Sequence, residues 1–289
     1  MQEEKLLSKV RRIEIKTRGL SRHLFSGAYH SVFKGRGMSF SEVREYHLGD
    51  DIRHIDWNVT ARSSQPYVKI FEEERELSIV LMIDISRSTW FGSTTQRKAE
   101  WIAEIASVLA FSASQNHDKV GLVLFSDRIH LYIPPRKGRQ NILRLIREIL
   151  VERQDAGETD LQQGLEFVRG ALKKRSVCFV LSDFHVPLPE GMLRQMALRH
   201  DLICMQILDP LEEQIPDAGL IPMRDAERNV YRLFDSADPD LRHAHSQRVK
   251  KNNQLLKSVM LRAGAEFIAL DVRNSYIKVL LNLFKSRKI

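Results

Sequence analysis

The chain is poor in the features that mark disulfide-stapled or membrane-spanning proteins. It has two cysteines among 289 residues, Cys178 and Cys204, which is too few for a disulfide framework or a cysteine-ligated metal cluster. Both lie in apolar, strand-like runs, so we expect two buried free thiols. No apolar stretch approaches the ~20 residues that a membrane helix needs.

The beginning of the sequence also lacks the pattern of a secretory signal. MQEEKLLSKVRRIEIK is charged throughout and contains no apolar signal core. Hydrophobic residues (43%) and charged residues (28%) occur in the proportions of an ordinary globular protein. We therefore expect a cytoplasmic protein without a membrane span.

The motifs of several enzyme classes are missing as well. The sequence has no Gly-x-Ser-x-Gly nucleophile elbow and no phosphate loop ending in Gly-Lys-Ser/Thr. Its histidines are scattered, and a lone histidine is more often a surface or packing residue than a ligand. We predict that the protein is not an enzyme. Metal-dependent phosphoester hydrolysis stays an alternative, because His185 follows Asp183 closely and offers a base.

Positive charge is concentrated near the C-terminal end. Residues 240–289 contain eleven Lys and Arg against three Asp and Glu, and the rest of the chain sums to zero of the total +8. Such a region contacts nucleic acid, an anionic membrane surface or an acidic protein face, or it is a solvated helical face. Because aromatic residues are not interleaved with the charge, nucleic-acid binding is the less favoured reading.

One stretch organises the rest of the chain, residues 78–90 with the sequence SIVLMIDISRSTW. Its unbroken apolar run is typical of a strand that is buried on both faces of a parallel sheet. The run ends in Asp84, Ser86 and Ser88, at the strand end where open α/β sheets bind ligands. These residues offer hard oxygen ligands for Mg²⁺, Mn²⁺ or Ca²⁺. The alternative is that they cap the following helix.

Further apolar strands alternate with helices along the remaining chain, which predicts βαβ units and a parallel sheet. We expect an α/β fold with a Rossmann-like, doubly wound sheet, in which Pro134 and Pro135 end a short strand begun at Ile129. A hairpin is predicted near residues 215–235. We divide the chain into an N-terminal helix-and-strand segment (1–75), helical to about residue 25, and a main domain (76–289).

Three predicted loops meet at one edge of this sheet. The first carries Asp84, Ser86 and Ser88, the second carries Thr159 at a helix start, and the third carries Asp183 directly after a buried strand. Two carboxylates and three hydroxyls would leave a bound cation with much of its charge. Such a cation accepts a carboxylate from a partner.

In this order, Asp84-x-Ser86-x-Ser88, Thr159 and Asp183 resemble the metal-ion-dependent adhesion site of von Willebrand factor A-type (VWA) domains. The resemblance implies that the hydroxyls ligate the cation, and that the aspartates do so directly or through water. It also implies a free position for an acidic side chain of the ligand. Two departures are Glu158, where many members have Gly, and Arg87, whose charge would weaken metal binding.

The segment from residue 40 to 63 is dense in Arg, Asp, Tyr and Trp. It is interpreted either as a structural ion-pair hub or as a partner-recognition surface of Arg forks and an aromatic anchor. We expect it to contain a capped short helix that buries Trp57. The residues predicted to bind a partner are Arg44, Tyr46, Asp50, Arg53, Asp56 and Trp57.

This segment resembles the signature of a bacterial family labelled domain of unknown function fifty-eight, and the resemblance covers essentially the whole chain. It implies an association with MoxR-type AAA+ ATPases, which act as chaperones in complex assembly or cofactor insertion. We therefore expect a non-catalytic adaptor that reaches an acidic group of such an ATPase, or of its substrate, through Mg²⁺ or a similar cation.

Overall fold

The structure is a computed structural model that describes residues 10, 39–63, 65–72, 77–93, 96–151, 153, 157–224 and 231–286. The strands in these ranges are β1 (Ser39–Glu45), β2 (Tyr67–Glu72), β3 (Ser78–Asp84), β4 (Lys119–Phe125), β5 (Ile129–Arg136), β6 (Val177–Ser182), β7 (Asp201–Leu208), β8 (Leu220–Arg224), β9 (Tyr231–Asp235) and β10 (Glu266–Asp271). The α-helices are α1 (Trp57–Thr60), α2 (Lys98–Gln115), α3 (Arg139–Leu150), α4 (Leu161–Ala171), α5 (Glu190–Arg199), α6 (Pro210–Glu213), α7 (Pro239–Arg262) and α8 (Tyr276–Ser286).

Six strands form the central sheet in the order β10-β7-β6-β3-β4-β5. All neighbouring pairs are parallel except β4 and β5, which are antiparallel. The chain moves outward from β3 in both directions, so helices cover both faces of the sheet. The predicted doubly wound, mainly parallel α/β fold is confirmed.

The central strand β3 feeds two hydrophobic cores through the alternation of its side chains. Ile79, Leu81 and Ile83 point into a core shared with α2, α3 and α8. Val80 and Met82 point into the opposite core, shared with α4, α5 and α7. All five side chains are buried, which explains why the strand is apolar at every position rather than at every second one.

The prediction that Pro134 and Pro135 end the strand after Ile133 is wrong. Both prolines lie within β5, which continues to Arg136. Because β5 is the edge strand of the sheet, a missing backbone N–H on its outer side leaves no ladder bond unmade. The pairing with β4 shifts register between Val120 and Leu122, which accommodates the irregular strand.

Two small antiparallel sheets decorate the central one. β1 pairs with β2, and β8 pairs with β9 in the predicted hairpin. The alternation of residues 67–73 predicts a strand, which corresponds to β2, whereas β1 was not predicted. The predicted helix over residues 1–25 lies outside the described residues apart from Val10, which is helical and buried. The boundary at residues 75 and 76 also falls outside them and stays a prediction.

The two cysteines are free thiols inside the fold. Cys178 and Cys204 are free and buried, as expected, and burial raises the pKa of the Cys204 thiol to about 12. Among the described helices, none combines the length and apolarity that crossing a bilayer requires.

Candidate functional site

The Asp84 carboxylate forms the centre of the candidate site, at the carboxyl end of β3. Its Oδ1 atom accepts a hydrogen bond from the Ser86 backbone N–H (2.8 Å). Its Oδ2 atom accepts from the Ser182 hydroxyl (2.6 Å) and from the Thr159 hydroxyl (3.1 Å). A residue from the end of the neighbouring strand β6 and one from the loop before α4 therefore converge on a single carboxylate.

The other predicted residues adjoin this carboxylate. The Ser86 and Ser88 hydroxyl oxygens are 3.1 Å apart, and the Ser88 hydroxyl lies close enough to the Asp183 carboxylate to contribute to lowering its pKa. Asp84, Ser86 and Asp183 are buried. The structure thus brings together all five residues proposed from the sequence, Asp84, Ser86, Ser88, Thr159 and Asp183, although the last two are distant from the first three along the chain.

The loop that carries Thr159 is held in place by Ser126, which follows β4. The Ser126 carbonyl accepts from the Asp160 backbone N–H (2.8 Å), and its hydroxyl accepts from the Gly157 N–H (3.3 Å). Asp160 itself caps α4 by accepting from the Gln163 backbone N–H (2.9 Å). Because the capping oxygen comes from Asp160, the Thr159 hydroxyl is left to contact Asp84.

The structure does not favour the alternative interpretation, in which the residues of the first loop only cap a helix. Ser86 precedes a short 3-10 helix, Arg87–Trp90, but its side chain makes no capping hydrogen bond. Its hydroxyl lies against Ser88 instead. The cap-like contacts in this loop come from the Asp84 carboxylate to the Ser86 N–H and from the Thr89 hydroxyl to the Ser86 carbonyl (2.7 Å).

The Lys98 ammonium, and not burial, separates the charge states of the two buried aspartates. Burial, and then the nearby Asp183 charge, raise the pKa of Asp84 to about 6. Burial also acts to raise the pKa of Asp183, but the Lys98 ammonium outweighs it, so the pKa of Asp183 is lowered. The site therefore holds one carboxylate that keeps its charge and one whose charge is costly in the absence of a cation.

Lys98 is a site residue that the sequence did not indicate. It lies in the first turn of α2, and its side chain is completely buried. Its Nζ atom is 2.8 Å from Asp183 Oδ2 and 2.5 Å from Glu212 Oε1 of α6. Burial alone would lower the pKa of Lys98, but the two carboxylates raise it. Lys98 thus stays a cation directly behind the cluster of hydroxyls.

Glu212 and His185 complete an inner layer of charge around Lys98. The His185 Nε2 atom is 3.5 Å from Glu212 Oε1. Asp183, His185 and Glu212 each place one ligand-type atom within 4.8 Å of the others, a spacing that is compatible with metal ligation. However, the Lys98 ammonium already contacts both carboxylates of this trio. It supplies there the positive charge that a metal ion would otherwise bring.

The cluster of Asp84, Ser86, Ser88, Thr159 and Asp183 offers the kind of ligand atoms that a hard divalent cation prefers. Its atoms are carboxylate and hydroxyl oxygens, which suit Mg²⁺, Mn²⁺ or Ca²⁺ and do not suit soft metals. Within the described part of the chain, the buried Asp84 carboxylate accepts hydrogen bonds from two hydroxyls and one backbone N–H, and no cationic side chain is among these donors. The residues present therefore fit such an ion, with Asp183 shared with Lys98.

The two departures from the adhesion-site pattern are both exposed residues. Glu158 is exposed and directly precedes Thr159. Arg87 is exposed as well. The weakening of metal binding by Arg87 stays a prediction, and the Lys98 ammonium, 2.8 Å from Asp183 Oδ2, is a second positive charge at the site.

The residues predicted to bind a partner lie on a separate part of the described chain. Arg44 makes a two-pronged ion pair with Asp50, with both N···O distances at 2.7 Å, and this contact lowers the pKa of Asp50 to about 2. Asp56 caps α1 and lies 3.5 Å from Lys69 Nζ. Tyr46 is half-buried, and Arg53 is exposed beside Asp51.

Trp57 is exposed, and the expectation that a short helix would bury it is wrong. The residue is 67% exposed, and the neighbouring Ile52 is 65% exposed. The helix that begins at Trp57 has only four residues. A single helical turn held by the Asp56 cap has no second turn with which to cover a large ring. The segment therefore combines an ordered ion pair with an uncovered aromatic side chain.

Known proteins share this fold and this sequence pattern. The chain is similar to the uncharacterized protein Rv1480 of Mycobacterium tuberculosis (strain ATCC 25618 / H37Rv), with 28% identity over 287 residues, 98% of this chain and 90% of Rv1480. The structure of an aerotolerance-related membrane protein from Bacteroides fragilis NCTC 9343 superposes with a TM-score of 0.50 and 14% identity over 73% of this chain and 99% of that one. The SpRpn10 VWA domain gives a TM-score of 0.44 and 12% identity over 72% of this chain and 95% of that domain.

The chain thus shares its fold with that aerotolerance-related membrane protein, and this fold defines a class of α/β domains with a doubly wound, mainly parallel sheet. Within that class, residues 42–255 match the family described as "Protein of unknown function DUF58". The chain belongs to this family, which confirms the resemblance drawn from the Arg44–Trp57 segment.

Proposed function

We propose that the protein is a non-catalytic interaction module that binds an acidic group of a partner through a divalent cation, Mg²⁺ or a similar hard ion. Asp84, Ser86, Ser88, Thr159 and Asp183 would hold the ion, directly or through water. The ion would supply an electrophilic centre for the partner carboxylate. The surrounding fold would hold the ligand oxygens in place and partly exclude water from them.

The observation that carries the proposal is the convergence on Asp84. Three hydrogen bonds from three separate segments fix its carboxylate, and burial raises its pKa to about 6. Holding a buried carboxylate among hydroxyls costs stability in an unliganded protein. A bound cation would offset that cost, because its positive charge replaces the hydration that Asp84 loses on burial.

The partner, in this proposal, is a MoxR-type AAA+ ATPase or the protein on which that ATPase acts. This part rests on family membership and on a segment that combines the Arg44–Asp50 ion pair with the exposed Trp57, which would serve as an aromatic anchor. We propose that one partner contacts both the cation site and this segment. The ion would then supply specificity for an acidic group of the partner, and the Trp57 side chain would supply apolar contact.

Metal-dependent phosphoester hydrolysis has less support. His185 would be its base, but the Nε2 atom of His185 faces Glu212, and the Lys98 ammonium lies against the same carboxylate. Turnover of a generic phosphoester that is lost in an Asp183→Ala variant would favour the enzyme over the interaction module.

The metal site is tested by removing two hydroxyls together. In the double variant Ser86→Ala, Ser88→Ala, we expect Mn²⁺ and Mg²⁺ affinity measured by calorimetry to fall at least ~10-fold, because two ligand positions are lost. The fold should persist, since the backbone N–H of Ser86 still bonds to Asp84. A chelator should release the partner ATPase from the wild-type protein in a pull-down.

Ser107→Ala is the matched control for this experiment. Ser107 is also buried, but its hydroxyl bonds only to the Ala103 carbonyl within α2 (2.6 Å). Its removal should leave the metal affinity unchanged. Equal heats of Mn²⁺ binding in the wild-type protein and in the double variant would contradict the proposal.

The exposed anchor is tested by Trp57→Ala. Because Trp57 is 67% exposed, we expect the free energy of unfolding to change by less than ~0.5 kcal/mol. Binding of the partner ATPase should weaken at least ~10-fold, as for an aromatic residue at the centre of an interface. Leu198→Ala, which removes a residue that is 77% exposed on α5, is the control, and the same loss there would contradict a specific role for Trp57.

A further inference from the structure

The buried Lys98 ammonium stands in an unusual position for a residue that lines a cation site. Its Nζ atom makes close contacts with Asp183 Oδ2 (2.8 Å) and Glu212 Oε1 (2.5 Å). Its side chain has no exposure to solvent, while those of Asp183 and Glu212 are 2% and 18% exposed. An ammonium in such a position cannot exchange its carboxylate partners for water.

Asp183 is shared between Lys98 and the proposed cation site. Its Oδ2 atom accepts a hydrogen bond from the ammonium (2.8 Å), and the same carboxylate is one of the five proposed ligands, near the Ser88 hydroxyl, which lies 3.1 Å from that of Ser86. A divalent ion at the hydroxyl cluster and the Lys98 ammonium therefore draw on the same negative charge. At separations of a few ångströms inside a protein, two positive charges repel each other strongly.

From this geometry we infer that Lys98 is a tethered cation that competes with the divalent ion for Asp183 and sets the affinity of the site. The inference rests on the proposed metal-bridged function and adds its regulation. The free chain would bind the ion weakly, because the Lys98 ammonium already neutralises the charge of Asp183. A partner carboxylate supplies the missing negative charge, so ion and partner bind cooperatively, each raising the affinity for the other.

Lys98 also ties the site to other parts of the fold. The Glu212 backbone carbonyl hydrogen-bonds to His245 Nε2 of α7 (2.8 Å), and the His245 ring packs against Phe234 of the β8–β9 hairpin at 6.4 Å between centroids. The tether is therefore braced by α6 and α7, and it does not depend on a surface loop. This bracing holds Nζ in place when the ion enters.

The inference is tested by calorimetry with Mn²⁺ alone, using variants of Lys98 and of its partner Glu212. Lys98→Met removes the ammonium, and we expect it to bind Mn²⁺ at least ~10-fold more tightly than the wild-type protein. Lys98→Met combined with Glu212→Gln removes one charge of each sign, so the net charge of the cluster equals that of the wild type. This double variant should also bind more tightly, because Asp183 is released from its competitor.

The double variant protects the test against misfolding. Lys98→Met leaves two buried carboxylates facing each other, whereas the double variant leaves one, and a glutamine at position 212 still accepts from the Asp209 N–H as Glu212 does (3.1 Å). If Lys98→Met fails to fold by circular dichroism, the double variant decides alone. Lys250→Met removes a half-exposed lysine of α7 and is the control for total charge.

The outcomes separate this inference from the proposed function. Tighter Mn²⁺ binding in both Lys98 variants, with Lys250→Met unchanged, supports the role of Lys98 as a competing cation. Mn²⁺ binding in the Lys98 variants but not in the wild-type protein also supports that role, and it overturns the proposal that the wild-type protein binds the ion. Wild-type affinity in the double variant, or equal tightening in Lys250→Met, overturns the tether and leaves the metal site standing. Absence of Mn²⁺ binding in every protein overturns both.

Discussion

Asp84→Asn is expected to make the chelator-treated protein more stable at pH 7.5 while reducing its Mn²⁺ affinity at least ~100-fold. The affinity falls because a charged ligand becomes a neutral amide. The stability rises because the folded state no longer holds a buried charge. Asparagine keeps an oxygen that accepts the Ser86 N–H, so the turn after β3 is preserved.

The sign of the stability change follows from the pKa of Asp84. Burial and Asp183 raise that pKa from 3.8 to about 6 in the folded chain. The stabilisation from the protonated group is complete below pH 3.8, and it is lost as the pH rises through about 6. At ~1.4 kcal/mol per pKa unit, the asparagine variant should gain ~1–3 kcal/mol at pH 7.5. The gain should shrink toward pH 4.5, as chemical denaturation at several pH values will measure.

Asp183→Asn provides the contrasting control, since it also removes a proposed ligand but should lower stability. Lys98 would then keep Glu212 as its carboxylate partner (2.5 Å), and a buried ammonium that loses one of two counter-charges destabilises the fold. If Asp84→Asn were less stable than the wild type at pH 7.5 in chelator, the account of a costly buried charge would be wrong. Unchanged Mn²⁺ affinity would contradict the role of Asp84 as a ligand.

Gly121→Ala is expected to destabilise the fold by about 3 kcal/mol. A Cβ atom at this position of β4 would lie 2.8 Å from the Ile133 carbonyl oxygen and 2.9 Å from the Pro135 nitrogen, both backbone atoms of β5. Backbone atoms of a paired strand cannot move aside as the end of a flexible side chain does, so the edge strand would be pushed away. The denaturation midpoint should fall with little change in the denaturant slope.

Gly170→Ala is the matched control for this glycine. Gly170 lies in α4, and a Cβ there would meet nothing within 4 Å. Alanine also restricts the unfolded chain, so we expect a gain of ~0.5 kcal/mol. A neutral Gly121→Ala variant would show that β5 is free to shift away from β4, and it would contradict the steric argument for this glycine.

The sequence was sufficient to predict the fold because its signals are local. The unbroken apolar runs of β3, β4, β6 and β7 indicate strands buried on both faces, and the helices between them require parallel connections. Since parallel strands end at one edge, the residues directly after β3 and β6 had to meet. Asp84 and Asp183 could therefore be assigned to one place from the sequence.

Other features depend on position within the finished sheet, and sequence patterns misled there. Pro134 and Pro135 read as a strand end, but β5 is an edge strand and tolerates them. Trp57 reads as a core residue, because large aromatic side chains are usually buried, but its helix has a single turn and leaves it in solvent. Neither fact is encoded in the residues immediately around it.

Lys98 shows most clearly what the sequence by itself left open. It stands in a polar stretch, and nothing in the residues around it distinguishes it from a solvated lysine. Its two carboxylate partners are 85 and 114 residues away, and only the packing of α2 and α6 against the end of β6 joins them. The sequence determined which oxygens lie at the edge of the sheet, because strand direction is local information. The tertiary structure decided which charge lies behind them, because an ion pair is formed by residues that meet only when the chain has folded.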